Sequence, residues 1–487
     1  MADKPKKPHA IFIPYPLQGH LIPSVHLAIK LASQGFTITF INTYSIHHQT
    51  SKAALTKTGA GPDMFTTARE SGLDIRYTTV SDGLPIGFDR SLNHDQFMAA
   101  LLHVFSAHVE EAVAEIVSSG EDVHCLIADT FFVWPSKIAS KFGLVHVSFW
   151  TEPALVFTLY YHMDLLRIHG HFACQDCRED TIDYIPGVEG IEPKDTTSYL
   201  QETDTTSVCH QIIFNCFNDT KNADFVICNS VQELESDVLS AIHAKIPFYA
   251  IGPILPNDFG KSILSTSLWS ESDCIQWLDQ KPNGSVLYVA FGSYAHVSKN
   301  DLIEIANGLA LSKVSFVWVL RPDIVSSDET DLLPDGFKEE VLDRSIIIPW
   351  CNQHSVLTHP AIGGFLTHCG WNSILESIWC EVPLLCFPLY TDQFTNRKLA
   401  VDDWKVGINM SNMKLISKED VANNINRLMC GNSKDELRNK IKEVKKTLEN
   451  AVSPGGSSEQ NMAQFMKDLE DRIEKKAQAK EPMCNGT

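Results

Sequence analysis

Short apolar runs alternate with longer amphipathic stretches through the first half of the chain. The apolar runs are rich in β-branched and aromatic residues and predict strands: HAIFIPYP, FTITFINT, IRYTTV, VHCLIADT, LVHVSFWT, FVICNS and PFYAIGP. Between them, residues 21–33, 94–118 and 134–142 have the spacing of helices. Strands that alternate with helices predict a parallel sheet with helices on both faces.

The same alternation returns in the second half and predicts a second parallel sheet. Its apolar runs are SVLYVAFGS, FVWVLRP, SIIIPWC, IGGFLTHC, VPLLCFP and VGINM. We predict a linker at 254–272, because LPNDFGKSILSTSLW is rich in Gly, Ser and Pro. The predicted domains are therefore 1–253 and 273–455, followed by a C-terminal helix and tail at 456–487. A length of 487 residues, too long for one ordinary domain, agrees with this division.

The predicted C-terminal helix has two possible positions. Its apolar residues recur at helical spacing at Met462, Phe465, Met466, Leu469 and Ile473. Such a helix can cross back to the first domain or pack on its own domain, and the spacing leaves both open.

The composition is that of a globular protein, with 44% hydrophobic and 21% charged residues. A formal net charge of −20 argues against nucleic acid and against an anionic membrane surface as partners. No apolar run is long enough for a membrane span or a signal peptide. The 13 cysteines are scattered and odd in number, which indicates reduced thiols and a cytoplasmic location. Cys174 and Cys177 have ligand spacing, but no second pair completes a zinc site, so we interpret them as a loop coincidence.

The stretch 350–393 carries the clearest chemistry. IGGFLTHC predicts a strand that ends in His368 and Cys369, Gly370 then turns the chain, and residues 371–380 predict a helix. The first N–H groups of a helix lack intrahelical partners, so a strand that leads through a glycine into a helix makes an anion site. His368 is expected to point toward that site.

Side chains around this anion site form the set that a nucleotide sugar needs. Asn372 and Ser373 add hydrogen-bond donors in the first helical turn. Trp350 offers a flat face for a base, and Glu376 can bridge the two hydroxyls of a ribose. The side chains that suit the hydroxyls of a sugar are Asp392 and Gln393.

This segment resembles the plant secondary product glycosyltransferase box, the donor signature of the family 1 UDP-glycosyltransferases. The positions in register are Trp350, Gln353, His359, Pro360, Gly363, Gly364, Phe365, Thr367, His368, Cys369, Gly370, Trp371, Asn372, Ser373, Glu376, Val382, Pro383, Pro388, Asp392 and Gln393. The resemblance implies an α/β chain with the GT-B fold, in which two Rossmann-like, doubly wound parallel-sheet domains face each other across a cleft. It also implies a monomer that uses a UDP-sugar as co-substrate, with no cofactor and no metal; the Asp-x-Asp metal motif of the other large glycosyltransferase class is absent.

The first domain then has to supply a base. His20 follows the first predicted strand in PYPLQGHLIP, a segment that resembles the family's N-terminal catalytic element, and histidine has a pKa suited to general base catalysis. Asp129 ends the strand VHCLIAD at the same sheet edge, where it can orient the imidazole. Taken alone, His20 is a capping or solvent-facing histidine and Asp129 a helix cap; the resemblance favours catalysis. We interpret His26 as structural.

The resemblance assigns further residues to the donor. Ser293 is expected near the diphosphate, although a simple helix N-cap is an alternative, and Thr151 is expected near the sugar rather than as an ordinary turn residue. Cys351 is expected to contact uracil through its backbone. The full predicted donor set is Thr151, Ser293, Trp350, Cys351, Gln353, His368, Trp371, Asn372, Ser373, Glu376, Asp392 and Gln393.

The acceptor pocket is the least defined part of the prediction, because variable loops build it in this family. We interpret the polar, turn-rich segment 171–219 as an irregular, mobile region on the acceptor side. The predicted acceptor-side residues are Tyr15, Gly19, Phe88, Trp150 and Tyr390. A phenol, an alcohol or a carboxylate would each use the same machinery.

The implied reaction is a single displacement. His20 takes the proton of an acceptor hydroxyl, the oxygen attacks the anomeric carbon, and UDP leaves toward the helix N-terminus and His368. One displacement inverts an α-linked donor into a β-glycoside. Gln393 at the end of the box goes with glucose in relatives, which implies UDP-glucose.

Several positions depart from the family pattern. Cys351 and Asn352 replace a common Ala-Pro pair, and Tyr390 with Thr391 replaces a commoner Phe-Ala pair. Glu381 stands where a turn glycine is usual, at a cost of about 1 kcal/mol if its φ is positive.

Two alternatives of other classes remain open. A non-catalytic relative could bind a nucleotide or a hydrophobic ligand without turnover, although the joint presence of His20, Asp129, His368, Glu376 and Gln393 argues against it. A Rossmann oxidoreductase has similar sheets, but no Gly-x-Gly-x-x-Gly follows the first strand.

Overall fold

A computed structural model describes residues 7–55, 63–174, 178–255, 266–325, 332–410 and 415–480. Two sheets, of seven and six strands, form its framework, and all of their strand pairs are parallel. The first sheet contains β1 His9–Ile13, β2 Thr37–Thr43, β3 Ile75–Val80, β4 Cys125–Asp129, β5 Val145–Trp150, β6 Phe225–Cys228 and β7 Phe248–Ala250. The second contains β8 Val286–Ala290, β9 Ser315–Val319, β10 Ser345–Ile348, β11 Ile362–Thr367, β12 Leu384–Cys386 and β13 Gly407–Asn409. Each predicted apolar run is a strand, which confirms the α/β class.

The strand order makes both sheets doubly wound. It is β3-β2-β1-β4-β5-β6-β7 in the first sheet and β10-β9-β8-β11-β12-β13 in the second. The direction of winding reverses between β1 and β4 and again between β8 and β11. A crevice opens at such a switch point, outside the carboxyl ends of the two strands, and ligands of this fold class bind there.

Helices cover both faces of each sheet. In the first domain they are α1 Gln18–Ser33, α2 Tyr44–Leu55, α3 Thr66–Glu70, α4 His94–His103, α5 Phe105–Ser118, α6 Pro135–Phe142, α7 Ala154–Tyr161, α8 Met163–His169, α9 Ser198–Gln201, α10 Val208–Thr220 and α11 Ser236–His243. The later helices are α12 Ile275–Leu278, α13 Lys299–Ser312, α14 Phe337–Glu340, α15 Gln353–Leu357, α16 Trp371–Trp379, α17 Gln393–Lys398, α18 Lys418–Met429, α19 Asn432–Val452 and α20 Ser457–Lys480, with a π-helical turn at Leu399–Asp403.

Two helix predictions need correction. The long helix predicted over 94–118 is two helices, α4 and α5, bent by 43° at Val104. Segment 171–219 is not irregular throughout, because 208–220 forms α10, whose N-cap Ser207 accepts a hydrogen bond from the His210 N–H. The apolar residues of α10 pack into the first domain, which gives this stretch a helical face that its polar composition concealed.

The alternation of side chains along β1 explains the layering of the first domain. Ala10 and Phe12 point into the core beneath α1, whereas Ile11 and Ile13 point into the core beneath α4 and α5. Successive side chains of a strand face opposite sides, and both faces of β1 are covered, so the run from Ala10 to Ile13 is continuously apolar.

Helix α20 packs on the first sheet. Its residues Met462, Phe465 and Leu469 are buried in the core that contains β1 and β2. The Tyr249 hydroxyl donates to Asp468 at 2.7 Å, and Asp224 accepts from Lys476 at 2.9 Å. The chain therefore returns to the first domain after the second. The domain boundaries stay predictions, and residues 256–265 of the predicted linker lie outside the described part of the chain.

The structure bears on the predictions about a membrane span and about the cysteines. Among the described residues no single helix has both the length and the apolar composition for a bilayer span; the bent pair α4 and α5 meets both criteria only jointly. Apart from Cys174, each cysteine within the described ranges is a free thiol. Cys177, half of the Cys174 pair, lies outside those ranges.

Glu381 adopts the left-handed backbone, with φ of 59°, that the missing turn glycine suggested. It follows α16, where the Val382 N–H donates to the Ser377 carbonyl and the Glu381 N–H donates to the Ile378 carbonyl. These two bonds form a Schellman motif, in which a glycine is usual at this position. The Glu381 carboxylate accepts from Lys445 at 2.8 Å, which offsets part of the backbone strain.

We expect Glu381→Gly to raise the free energy of unfolding by up to about 1 kcal/mol, because glycine removes the strain of a Cβ at positive φ. Thermal unfolding of the wild type, Glu381→Gly and Glu381→Gln measures the effect. The Gln variant keeps the Cβ and loses the ion pair, so it isolates the Lys445 contact. A lower midpoint for Glu381→Gly than for Glu381→Gln would contradict the strain argument.

Candidate active site

The two switch points face each other across the cleft between the sheets. His20 lies on α1, just after β1, and Asp129 ends β4, so both flank the first switch point. Ser293 follows β8 and His368 follows β11 at the second. The strand order thus brings four predicted site residues to one region, as the doubly wound topology requires.

His20 and Asp129 form a hydrogen-bonded pair. The Nδ1 atom of His20 lies 2.8 Å from Oδ2 of Asp129 and 3.0 Å from Oγ1 of Thr151. The Asp129 side chain is buried, and its Oδ1 accepts from the Phe131 N–H at 3.0 Å. With Nδ1 engaged, Nε2 is the nitrogen that can serve as a base toward the cleft.

A first cavity lies between the domains and contains most of the predicted donor residues. His20 contributes from the first domain, and His26, interpreted as structural, also lines this cavity. Of the predicted donor set, the lining contains Thr151, Ser293, Trp350, Cys351, Gln353, His368, Trp371, Asn372, Ser373, Glu376 and Asp392. Gln393 lines a neighbouring cavity instead, and Asp129 lies behind His20.

Glu376 is held in place by two side chains from α15. Its Oε2 accepts from Nε2 of Gln353 at 2.6 Å, and its Oε1 lies 2.8 Å from Nε2 of His354. Burial alone lowers the pKa of His354, but the Glu376 carboxylate outweighs it and raises that pKa. The carboxylate is therefore fixed before any ribose hydroxyl reaches it.

The raised pKa of His354 gives a pH-dependent contribution to stability. The pair with Glu376 contributes fully below the unfolded-state pKa of about 6.5 and loses its contribution as pH rises through the higher folded-state value. We expect the wild type to lose more thermal stability than His354→Gln between pH 6 and pH 9. Thermal midpoints across that range test this, with the exposed His103→Gln as control. Parallel curves for the wild type and His354→Gln would contradict it.

His368 is a neutral imidazole within the cleft wall. Burial lowers its pKa to about 3, helped by the Arg321 guanidinium, and its Nδ1 is buried without a hydrogen-bond partner among the described residues. A Cβ on Gly370 would lie 2.6 Å from the Nε2 atom of His368, so the glycine is needed for space. Gly370 does not turn the chain, since its backbone is extended; Cys369, with φ of 67°, does.

Two residues of the box join the domains. The Trp371 indole N–H donates to the Asn229 carbonyl at 2.7 Å, and Nδ2 of Asn372 donates to the Gly19 carbonyl at 2.6 Å. These bonds hold the N-terminus of α16 against the segment that follows β6 and against the first turn of α1, which carries His20. Trp371 is thus an interdomain anchor as well as part of the cavity wall.

The departures at 351 and 352 have local explanations. Cys351 is buried, with its Sγ 3.7 Å from the Tyr288 hydroxyl. Oδ1 of Asn352 accepts from the Ser355 N–H at 2.9 Å and caps α15, so asparagine replaces proline's rigidity with a hydrogen bond. Trp350 lines the first cavity with its ring 6.4 Å from that of Trp269.

A second cavity adjoins the first on the side of α4 and α10. The predicted residues Tyr15, Gly19 and Tyr390 line it, together with Gln393 and Asp392. Other lining residues are Leu17, His94, Met98, Phe131, Tyr160, Tyr199, Cys209, Ile212, Ile213, Tyr294 and Ala295. Most of the wall is apolar or phenolic, and the polar groups of His20, Glu152 and Asp392 lie where it adjoins the first cavity.

The structure does not bring Trp150 and Phe88, two predicted acceptor-side residues, into the lining of either cavity. Trp150 is 0% exposed, because its ring packs against Phe131 and Phe217 in the core behind the cavity. Phe88 lies in a loop, and its backbone carbonyl accepts a hydrogen bond from the Arg90 side chain at 2.9 Å.

Asp392 and Gln393 begin α17 at the wall of the second cavity. Oδ1 of Asp392 accepts from the Thr391 hydroxyl at 2.6 Å, and burial raises the pKa of this carboxyl. Oε1 of Gln393 accepts from the backbone N–H groups of Leu389 and Tyr390. The amide nitrogen of Gln393 is therefore the group that can donate to a ligand.

The sequence pattern does not point to two residues that the structure places at the cleft. Arg321 is 1% exposed and donates to the carbonyls of Gly292 and Ala295, which fixes the loop that carries Ser293. Glu152 lines both cavities with a buried carboxyl. Glu152 directly follows Thr151, which was the available signal. The N-cap alternative for Ser293 is wrong, because Ser298 caps α13.

Within the described residues, no group of three or more His, Cys, Asp and Glu side chains could hold a metal ion. The site presents helix N–H groups, imidazoles, hydroxyls and carboxyls.

Comparisons with known proteins agree with this geometry. The sequence profile of the family described as "UDP-glucoronosyl and UDP-glucosyl transferase" matches residues 200–446. UDP-glycosyltransferase 86A2 of Arabidopsis thaliana is 64% identical over 96% of this chain and 95% of its own length. The 7-deoxyloganetin glucosyltransferase of Gardenia jasminoides is 36% identical over 96% and 98%. A solved structure of Phytolacca americana UGT2 with UDP-2fluoro-glucose and pterostilbene matches with a TM-score of 0.76 and 26% identity, over 96% of this chain and all of that chain.

Proposed function

The chain belongs to the UDP-glucoronosyl and UDP-glucosyl transferase family, and from this premise we propose that it transfers glucose from UDP-glucose to a hydroxyl of a small lipophilic acceptor, with inversion. Family membership makes it a glycosyltransferase with the GT-B fold that uses a UDP-sugar, and it removes the oxidoreductase alternative. The identity of the sugar, the stereochemistry and the acceptor are the proposed parts.

The pairing of His20 with Asp129 carries the proposal. Nδ1 of His20 is hydrogen-bonded to the buried Asp129 carboxylate at 2.8 Å. His20 itself lines both cavities. His20 can therefore take a proton from a hydroxyl in the second cavity while its imidazolium is stabilised by Asp129. The oxygen then attacks the anomeric carbon of a sugar in the first cavity, and a single displacement gives a β-glucoside.

The donor half of the proposal rests on the first cavity. Trp350 is available to stack on uracil and the fixed Glu376 carboxylate to accept from ribose hydroxyls. The N-terminus of α16 supports binding of the diphosphate. His368 is neutral, so with a proton on Nε2 it contributes one hydrogen bond to the diphosphate and no positive charge. This set stabilises departing UDP without a metal in the scheme.

Two finer features favour glucose as the sugar and a lipophilic acceptor. The Gln393 amide nitrogen can donate to a sugar hydroxyl, and the related Gardenia protein is named as a glucosyltransferase. The phenolic and apolar wall of the second cavity suits a lipophilic guest. A monomeric state and a cytoplasmic location stay predictions from the sequence.

The test is UDP release from UDP-glucose with a panel of phenols, terpenoid alcohols and carboxylic acids, in the presence of EDTA. We expect acceptor-dependent release that EDTA does not change, with UDP-glucose preferred over UDP-galactose in competition. UDP binding by calorimetry without release for any acceptor would instead favour the non-catalytic binding relative.

A further inference from the structure

The two cavities meet at a small set of residues. Six residues line both: Gly19, His20, Glu152, Ser293, His368 and Asp392. In a transfer reaction, the transferred group is the part that must contact both the donor side and the acceptor side. The residues common to both cavities therefore border the position of the transferred sugar.

These six residues form the junction of the two cavities. Within it, Glu152 has a carboxyl group that serves no evident purpose in holding the fold together. Its side chain is 9% exposed, and its Oε2 is buried with no hydrogen-bond partner in the described residues. Burial raises the pKa of Glu152 well above its ordinary value, and the carboxyls of Asp392 and Asp129 raise it further. The raised pKa favours the protonated carboxyl, and a protonated carboxyl can donate a hydrogen bond as well as accept one.

A neighbouring glutamate shows what a structural carboxyl looks like in this region. Glu235 accepts from the backbone N–H groups of Ala154 at 3.0 Å and Leu155 at 2.7 Å, and from the Ser230 hydroxyl. All of these partners belong to the fold, and they secure the start of α7. Glu152, two residues before Ala154, has no comparable set. An unpartnered buried carboxyl costs free energy, which indicates that a ligand completes its hydrogen bonds.

We propose that Glu152 is a specificity-determining residue that hydrogen-bonds a hydroxyl of the transferred sugar, on the same junction as Asp392. This inference rests on the proposed function, because it assigns the sugar to the junction. Glu152 acts by binding and orienting the sugar and takes no part in the proton transfer at His20.

The test compares the affinities for UDP and UDP-glucose by calorimetry, without acceptor, in the wild type, Glu152→Ala, Glu152→Gln and Glu235→Gln. The ratio of the two dissociation constants isolates the contribution of the glucosyl group. We expect Glu152→Ala to weaken UDP-glucose by about threefold to tenfold, the effect of one lost hydrogen bond, and to leave UDP unchanged. Glu152→Gln keeps a donor and an acceptor and should lose less.

Thermal unfolding without ligand separates this role from a structural one. Glu152→Ala and Glu152→Gln should melt at or above the wild-type midpoint, because each removes an unpartnered buried carboxyl. Glu235→Gln should melt lower, with its ratio of affinities unchanged. Equal effects of Glu152→Ala on UDP and UDP-glucose, no effect on either, or a loss of stability like that of Glu235→Gln would overturn the proposal. Because calorimetry needs no turnover, failure of the transferase assay is a separate result.

Discussion

Replacing His20 with alanine is expected to lower kcat by about 10²- to 10⁴-fold, the range supplied by general base catalysis. The affinity for UDP should stay close to that of the wild type, because the side chains expected to hold uracil, ribose and diphosphate come from the second domain. Steady-state rates with the acceptor identified by the panel, beside calorimetry with UDP, separate the two quantities. His103→Ala serves as the matched control, since His103 is exposed and lines neither cavity.

Near-normal turnover by His20→Ala would contradict the assignment of the base. A joint loss of turnover and of UDP binding would contradict it in a different way, because it would indicate that the domain interface has changed. The first turn of α1, which contains His20, does carry part of that interface, through the bond from Asn372 to the Gly19 carbonyl. This bond uses a backbone oxygen, so the alanine substitution leaves it in place.

Asp129→Asn is the second substitution with a large expected effect, a fall in kcat of about 10²-fold or more. The aspartate accepts from Nδ1 of His20 at 2.8 Å and so fixes the tautomer in which Nε2 is free to take a proton. Asparagine can turn its amide nitrogen toward the ring, which favours the opposite tautomer, and it cannot stabilise the imidazolium by charge. The Phe131 N–H, which donates to Oδ1 of Asp129, can donate to the amide oxygen of asparagine instead, so the fold should tolerate the change.

The rates of Asp129→Asn and of the double variant with His20→Ala test whether the pair acts as a unit. We expect the double variant to be about as slow as His20→Ala alone, because the orienting acid has no role once the base is gone. Additive losses would instead indicate that Asp129 supports the cleft independently of His20. Wild-type rates for Asp129→Asn would remove the aspartate from the mechanism.

The donor box was predictable because its parts are close in sequence. A strand, a turn and a helix follow one another between Ile362 and Trp379, and local pattern reports each of them. The side chains of this segment that line the first cavity are therefore predicted together. The details of the turn are harder to predict. Cys369, and not Gly370, has the left-handed backbone. The glycine is needed because a side chain there would clash with His368.

The acceptor side is harder to predict from sequence than the donor side, for a physical reason. Aromatic side chains near a strand end can face the cavity or the core, and sequence alone does not decide which. Tyr15 lines the cavity, whereas Trp150 packs behind it. Helix α10 supplies Cys209, Ile212 and Ile213 to the wall from a stretch whose composition suggested an irregular segment.

The sequence by itself determined the strands, the two-sheet organisation and the nucleotide-sugar motif, because these follow from hydrophobic period and from contiguous residues. Only the tertiary structure decided which distant residues meet. His20 and Asp129 are 109 residues apart and pair because β1 and β4 are neighbours at a switch point. Glu152 became a candidate only when the two cavities were seen to share it. Strand order and domain closure set such contacts, and no local pattern encodes them.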